Sequence, residues 1–241
     1  MLENIVLSRV LFLDIETVPA YPSYNQLDER FKKLWDKKAM NLQKAESNSE
    51  SEVSPEVLYE RAGIYAEFGK IICISTGFIM DGSLKIKSFF GDDEKKLLTE
   101  FAAMLSAHFN TVNHYLCAHN GKEFDYPFIA RRMLINGVKL PVLLDIAGKK
   151  PWEITHLDTM ELWKFGDYKS YTSLELLSAL FGIPTPKNDI DGSQVRAVYY
   201  EENDLNRIVT YCQKDTLTVA QLLLKYRNEK MISEENVVIV N

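Results

Sequence analysis

At 241 residues, 46% hydrophobic and 26% charged, the chain has the balance of a globular protein built as one domain, 1–241. No apolar run approaches the roughly 20 residues of a membrane span, and the opening MLENIVLSRV lacks the features of a signal peptide, so a cytoplasmic protein with no membrane partner is expected. The net charge of −6 argues against a protein that coats nucleic acid by bulk attraction, but not against an enzyme that grips a short piece of it.

The first strong signal along the chain is VLFLDIET, Val10 to Thr17. Alternation puts Val10, Phe12, Asp14 and Glu16 on one face of a strand and Leu11, Leu13 and Ile15 on the other. Two apolar faces describe a central strand covered on both sides. Two carboxylates there would repel and lose hydration, unless something positive compensates or the strand ends at Leu13 and leaves them on a solvated turn. Prolines in VPAYPSYNQ stop the strand. From about Asn25 to Lys44 the spacing predicts an amphipathic helix, with Leu27, Phe31, Leu34, Trp35 and Leu42 on one side. Its other side carries Arg30, Lys32, Lys33, Lys37 and Lys38, read as a solvated face with nucleic-acid contact as the alternative. The polar stretch from Ala45 to Pro55 reads as a mobile loop.

Residues Lys70–Met80 and Ser83–Gly91 flank Asp81-Gly82, a hairpin signal. A helix is expected from about Asp93 to Phe109, a strand over HYLCAH, and a helix from near Tyr126 to Gly137. HLDTMELW reads as the last strand, and TSLELLSALFG as a helix opened by a Thr172–Glu175 capping box and closed at Gly182. A long final helix is predicted from about Asn203 to Arg227. Three consecutive strands followed by alternating helices and strands imply an α/β sandwich around a mixed sheet. Cys73, Cys117 and Cys212 are too few and too scattered for a zinc site or disulfide framework, and read as small buried hydrophobes.

At about 100° per residue, Ile208, Cys212, Val219, Leu222 and Tyr226 form one stripe of the final helix, with Asp215 in its middle. No lysine or arginine lies at a neighbouring turn of that stripe, whereas Tyr211 at i−4 can share the space of the Asp215 carboxylate. A core tyrosine bonded to a core aspartate is the plain alternative. Asp125 follows a tight Asn120-Gly121 turn and opens a helix, where it also serves as a plausible N-cap. The carboxylates Asp14, Glu16, Asp125 and Asp215 are hard oxygen donors suited to Mg²⁺ or Mn²⁺. Two such ions between them would supply the missing charge and the means to cleave a phosphodiester.

FLDIET, HNGKEFDYPFI and YCQKD resemble the three exonuclease motifs of the DEDD superfamily of 3′–5′ exonucleases. They are most similar to the proofreading domain of family-B DNA polymerases and its stand-alone bacterial relatives, over about Val10 to Tyr226. The resemblance implies a ribonuclease H-like fold: a central mixed sheet of three antiparallel strands then parallel strands, flanked by helices. It also implies release of nucleoside 5′-monophosphates from the 3′ end of single-stranded DNA in repair or replication. RNA trimming, or a non-catalytic nucleic-acid-binding module on the same fold, are the alternatives. The Tyr-x-x-x-Asp spacing implies the tyrosine branch, since the histidine branch needs a histidine where this chain has Thr210. By the same resemblance Asp14, Glu16, Asp125 and Asp215 hold two divalent ions, with Asp14 bridging them, and Tyr211 orients the attacking water. Ile15, Thr17, Asn120, Phe124 and Lys187 are the candidates for contact with the terminal nucleotide, with core packing the alternative for Phe124 and a plain surface role for Lys187. Val18 to Gly69 is long for a link between two strands and is expected to be a helical insertion, about 18–69. A polymerase's thumb, palm and fingers do not fit this length, so replication or repair proteins would act in trans. Asp158 is read as mainly structural, and His108, His114, His119 and His156 as satisfied histidines without metal-ligand spacing.

Overall fold

The apolar alternation of Val10 to Thr17 becomes strand β1, Val10–Pro19, at the middle of the sheet. A computed structural model describes residues 2–45, 53–167, 169–184 and 189–240. Strand β2, Gly69–Met80, pairs antiparallel to β1 and turns into β3, Ser83–Phe90, through Asp81 and Gly82 at φ 51° and 76°. The two left-handed residues are what a tight hairpin between right-twisted strands requires. β4, Tyr115–Ala118, lies parallel to β1, and β5, Leu157–Asp158, parallel to β4. β6, Val237–Val240, adds to the far edge parallel to β3, giving the order β5-β4-β1-β2-β3-β6. Three antiparallel strands followed by parallel ones make the mixed α/β sheet expected from the sequence.

β1 does not end at Leu13. Asp14 pairs with Ser75 and Glu16 with Cys73, so both carboxylates belong to the ladder, and Pro19 closes the strand. The register then slips between Glu16 and Thr17. This bulge sends both Ile72 and Cys73 to the same face, Ile72 to pack with Val18 and Ile208, Cys73 with Val209 and Cys212.

Helices cover both faces. α1, Glu29–Ala45, and α2, Pro55–Tyr59, lie between β1 and β2. α3, Glu94–His108, and α4, Asp125–Ile135, bury Leu97, Phe101 and Ile129 against Leu11, Leu13 and Ile15. On the opposite face Val10 and Phe12 meet Val219, Ala220 and Leu223 of the last helix. A buried ion pair locks α3 to α4: Arg132 Nη2 stands 2.5 Å from Glu94 Oε2, and Glu94 Oε1 accepts from the Ile71 amide at 2.7 Å. α1 begins at Glu29 rather than Asn25, because Asp28 Oδ1 accepts from the Phe31 amide at 2.8 Å and caps it. Among the described residues of its apolar side only Trp35 and Ala39 are fully buried, with Trp35 packed edge-on to Tyr59 and Phe68. Phe31 and Leu34 remain exposed. The central part of the polar stretch after Ala45, 46–52, lies outside the described residues.

HLDTMELW is not the last strand. Only Leu157 and Asp158 pair, and from Thr159 the chain is helix α5, Thr159–Lys164. The Asp158 carboxylate accepts from the Met160 and Glu161 amides, which caps the helix and ends the strand. α6, Leu174–Phe181, is capped by Ser173 rather than Thr172 and stops at Gly182, φ 60°. A short α7, Val195–Ala197, runs into a π turn, and α8, Leu205–Tyr226, follows the cap Asp204. Among the described residues no helix is long and apolar enough to cross a membrane.

Candidate active site

α8 packs directly on the face of the sheet that β1 runs through, and the acidic residues lie where they meet. Small side chains let the helix sit close: Cys212 Sγ donates to the Asp14 carbonyl at 3.3 Å, and Thr216 Oγ1 to the Ser75 carbonyl at 3.3 Å. The strand's alternation therefore aims Asp14 and Glu16 at α8, and Glu16 is only 7% exposed. Among the described residues, the candidate metal-ligand atoms within 4.8 Å of one another belong to Asp14, Glu16 and Cys212. Burial pushes the Cys212 thiol well up, so it stays protonated and is a poor ligand beside the two carboxylates.

Burial also raises the Asp14 carboxyl well above the usual range, and Asp215 and Asp125 raise it further by repulsion. Glu16 is raised by burial and then by Asp14 and Asp215. Asp215 is pushed up to about 6 by burial, while the Tyr211 hydroxyl bonded to it holds it down. Tyr211 is in turn driven far above the ordinary phenol value, first by burial and then by Asp215 and Glu16. All four carboxylates and the tyrosine thus share one electrostatic environment. Asp14 Oδ2 is buried without a hydrogen-bond partner. An orphaned carboxylate oxygen among other hard oxygen donors fits a divalent cation such as Mg²⁺ or Mn²⁺.

Asp125 comes from the turn after β4. Gly121 is required there, since a Cβ would stand 2.5 Å from Ala118 Cβ and 2.8 Å from Tyr126 Cζ. Asn120 adopts φ 62°, and Asp158 accepts from the Asn120 amide at 3.0 Å and the Lys122 amide at 3.1 Å. Asp158 therefore ties this turn to α5. Asp125 is pushed up to about 7 by burial, and hydrogen bonds from its own amide and that of Ile15 hold it down.

Of the nucleotide-contact candidates, Ile15 is buried and lends its amide to Asp125. Thr17 is half-buried just beyond Glu16. Asn120 Oδ1 is buried without a partner. Phe124 is half-buried, tilted against Phe128 with ring centroids 5.3 Å apart, and so has a packing role. Lys187 lies outside the described residues. His119 bonds Thr159 and the Thr172 carbonyl, and His156 bonds the Leu143 carbonyl, so both are structurally satisfied. Sequence reading missed Cys212 as the residue that seats α8 on Asp14; its signal was its place on the Ile208 stripe three residues before Asp215.

The sheet order and the carboxylates converging on its central strand make this a mixed-sheet α/β protein with an acidic site. It belongs to the family described as "Predicted 3'-5' exonuclease related to the exonuclease domain of PolB", which matches residues 64–237. That match includes Asp125, Tyr211 and Asp215, while β1 with Asp14 and Glu16 precedes it. No curated protein matches the chain in sequence. Among solved structures, the family B DNA polymerase from the hyperthermophilic archaeon Pyrobaculum calidifontis aligns with 90% of this chain and 24% of its own, at 14% identity and a TM-score of 0.49.

Proposed function

We propose that the protein is a divalent-metal-dependent exonuclease of the tyrosine branch that removes nucleotides from the 3′ end of single-stranded DNA, in repair or replication and beside polymerase or repair proteins acting in trans. The observation that carries this reading is the pair Asp14, half-buried with an orphaned Oδ2, and Glu16, buried, on the face of β1 that meets α8, where Asp215 and Tyr211 share their electrostatic environment. Asp14, Glu16, Asp125 and Asp215 would hold two Mg²⁺ or Mn²⁺ ions, which activate a water and stabilise a leaving oxygen in phosphodiester hydrolysis. Tyr211, with its proton held so firmly, orients the attacking water and does not deprotonate it. The buried Asn120 Oδ1 offers an unfilled acceptor to the terminal nucleotide. The test is digestion of matched 5′-labelled DNA and RNA oligonucleotides with Mg²⁺, Mn²⁺ or EDTA. Shortening from the 3′ end that EDTA abolishes, and that favours DNA, is expected. Activity that survives EDTA, or products trimmed from the 5′ end, would sink the reading.

A further inference from the structure

The segment after α5 breaks two rules of folding at once. α5 ends at Lys164, and Phe165 then takes φ 44° and ψ 34° with 90% of its surface exposed. A left-handed residue closing a helix is ordinarily glycine or asparagine, because a Cβ is strained there. A phenylalanine gains nothing in return when its ring is left in water. Neither backbone conformation nor burial accounts for the side chain at this position. Strain of this kind, held in place by its surroundings, points to a use outside the fold.

The surroundings do hold it. Trp163 stacks on Tyr226 at 6.2 Å and packs edge-on to Phe181 at 5.7 Å, which fixes the end of α5. His119 Nδ1 stands 2.9 Å from Thr159 Oγ1 and its Nε2 2.9 Å from the Thr172 carbonyl, so one histidine pins both the start of α5 and the far end of the loop. His119 directly precedes Asn120, and Lys122 pairs with Glu161 of α5 at 2.5 Å. The loop is thereby fastened to the turn that presents Asn120 and Asp125. It carries a second ring, Tyr171, 66% exposed, with the Lys164 ammonium 4.3 Å from its centroid.

We propose that Phe165 and Tyr171 form a stacking platform for unpaired nucleotides next to the terminal one, with Lys164 supplying the phosphate contact. This rests on the reading of the acidic site as one that works at a nucleic-acid 3′ end. Aromatic faces take any base, so the platform grips single strands without reading sequence. A lysine beside the rings adds salt-dependent attraction that an acidic chain otherwise provides sparsely.

The full-length protein in EDTA, where cleavage is stopped, is titrated into 5′-fluorescein oligo(dT) of about 20 nucleotides and read by anisotropy. Phe165→Asn should weaken binding on the order of tenfold, the effect of losing one stacked base. Its thermal midpoint should stay level or rise, because asparagine accepts the left-handed backbone. Phe165→Trp should bind as the wild type does, and Lys164→Gln should lower the slope of log affinity against log salt by about one. Unchanged affinity in Phe165→Asn, an equal loss in Phe165→Trp, or no binding by the wild type would each overturn the platform. So would a wild-type dimer that becomes monomeric in Phe165→Asn with DNA affinity intact, which would assign the rings to self-association. The binding readout is separate from cleavage. A protein that shows the Phe165 dependence but never cleaves would refute the exonuclease reading and leave the platform standing.

Discussion

Asp14→Asn should stabilise the metal-free protein while destroying its activity. Asp14 and Glu16 place carboxylate oxygens within 4.8 Å of each other. Two full charges at that separation repel by about 3 kcal/mol at an effective dielectric near 20. Burial raises all four carboxyls, Asp125 to about 7 and Asp215 to about 6, so the site meets rising pH by holding protons. A carboxyl whose native pKa lies above its unfolded value near 4 contributes its full stability below that value. The contribution is lost as pH rises through the native pKa, here across the range from about 6 to 7 set by Asp215 and Asp125. An asparagine at position 14 removes one charge and lets its amide donate to a neighbouring carboxylate. The expected gain at pH 8 in EDTA is about 1–3 kcal/mol, or roughly 3–10 °C in midpoint for a chain of this size. At pH 5 the difference should shrink, because Asp125 and Asp215, raised to about 7 and about 6, are then largely protonated. Mg²⁺ or Mn²⁺ should raise the wild-type midpoint by mass action and do much less for Asp14→Asn. Thermal scans of both proteins at the two pH values, with and without metal, read all of this. A variant no more stable than the wild type at pH 8 in EDTA, or equally stabilised by metal, would refute the repelling cluster.

If the hydroxyl orients water and is not a ligand, as proposed, Tyr211→Phe should lower turnover on the order of 10²-fold and leave the metal-induced rise in midpoint intact; unchanged turnover would make it a packing residue. Glu94→Gln strips the buried Arg132 guanidinium of its countercharge and should cost about 3–5 kcal/mol, measured by urea unfolding. A loss below about 1 kcal/mol would mean that the Ala66 carbonyl and solvent already satisfy Arg132.

Elements that depend on near neighbours in the chain were legible in the sequence. β1 showed as strict alternation, the β2–β3 hairpin as Asp81-Gly82 between β-branched runs, and α8 as a stripe repeating at helical spacing. The four carboxylates and Tyr211 stood out as candidates by residue type and motif alone. What local pattern could not decide was competition between partners distant in sequence. Whether β1 continued through Asp14 and Glu16 depended on Ser75 and Cys73 pairing with them. HLDTMELW has strand-like residues, yet Asp158 spends its carboxylate on the amides of Met160 and Glu161 and turns the chain into α5. β6 is four residues long and finds its place only because β3 offers a free edge. The cost of Phe165 was also hidden, because exposure and a left-handed backbone are properties of the folded loop and not of its letters. Periodicity reports which face a side chain takes. Tertiary structure alone determines what stands on that face, and here it brings Asp215, some 200 residues from Asp14 in the chain, into the field of the same buried carboxylate.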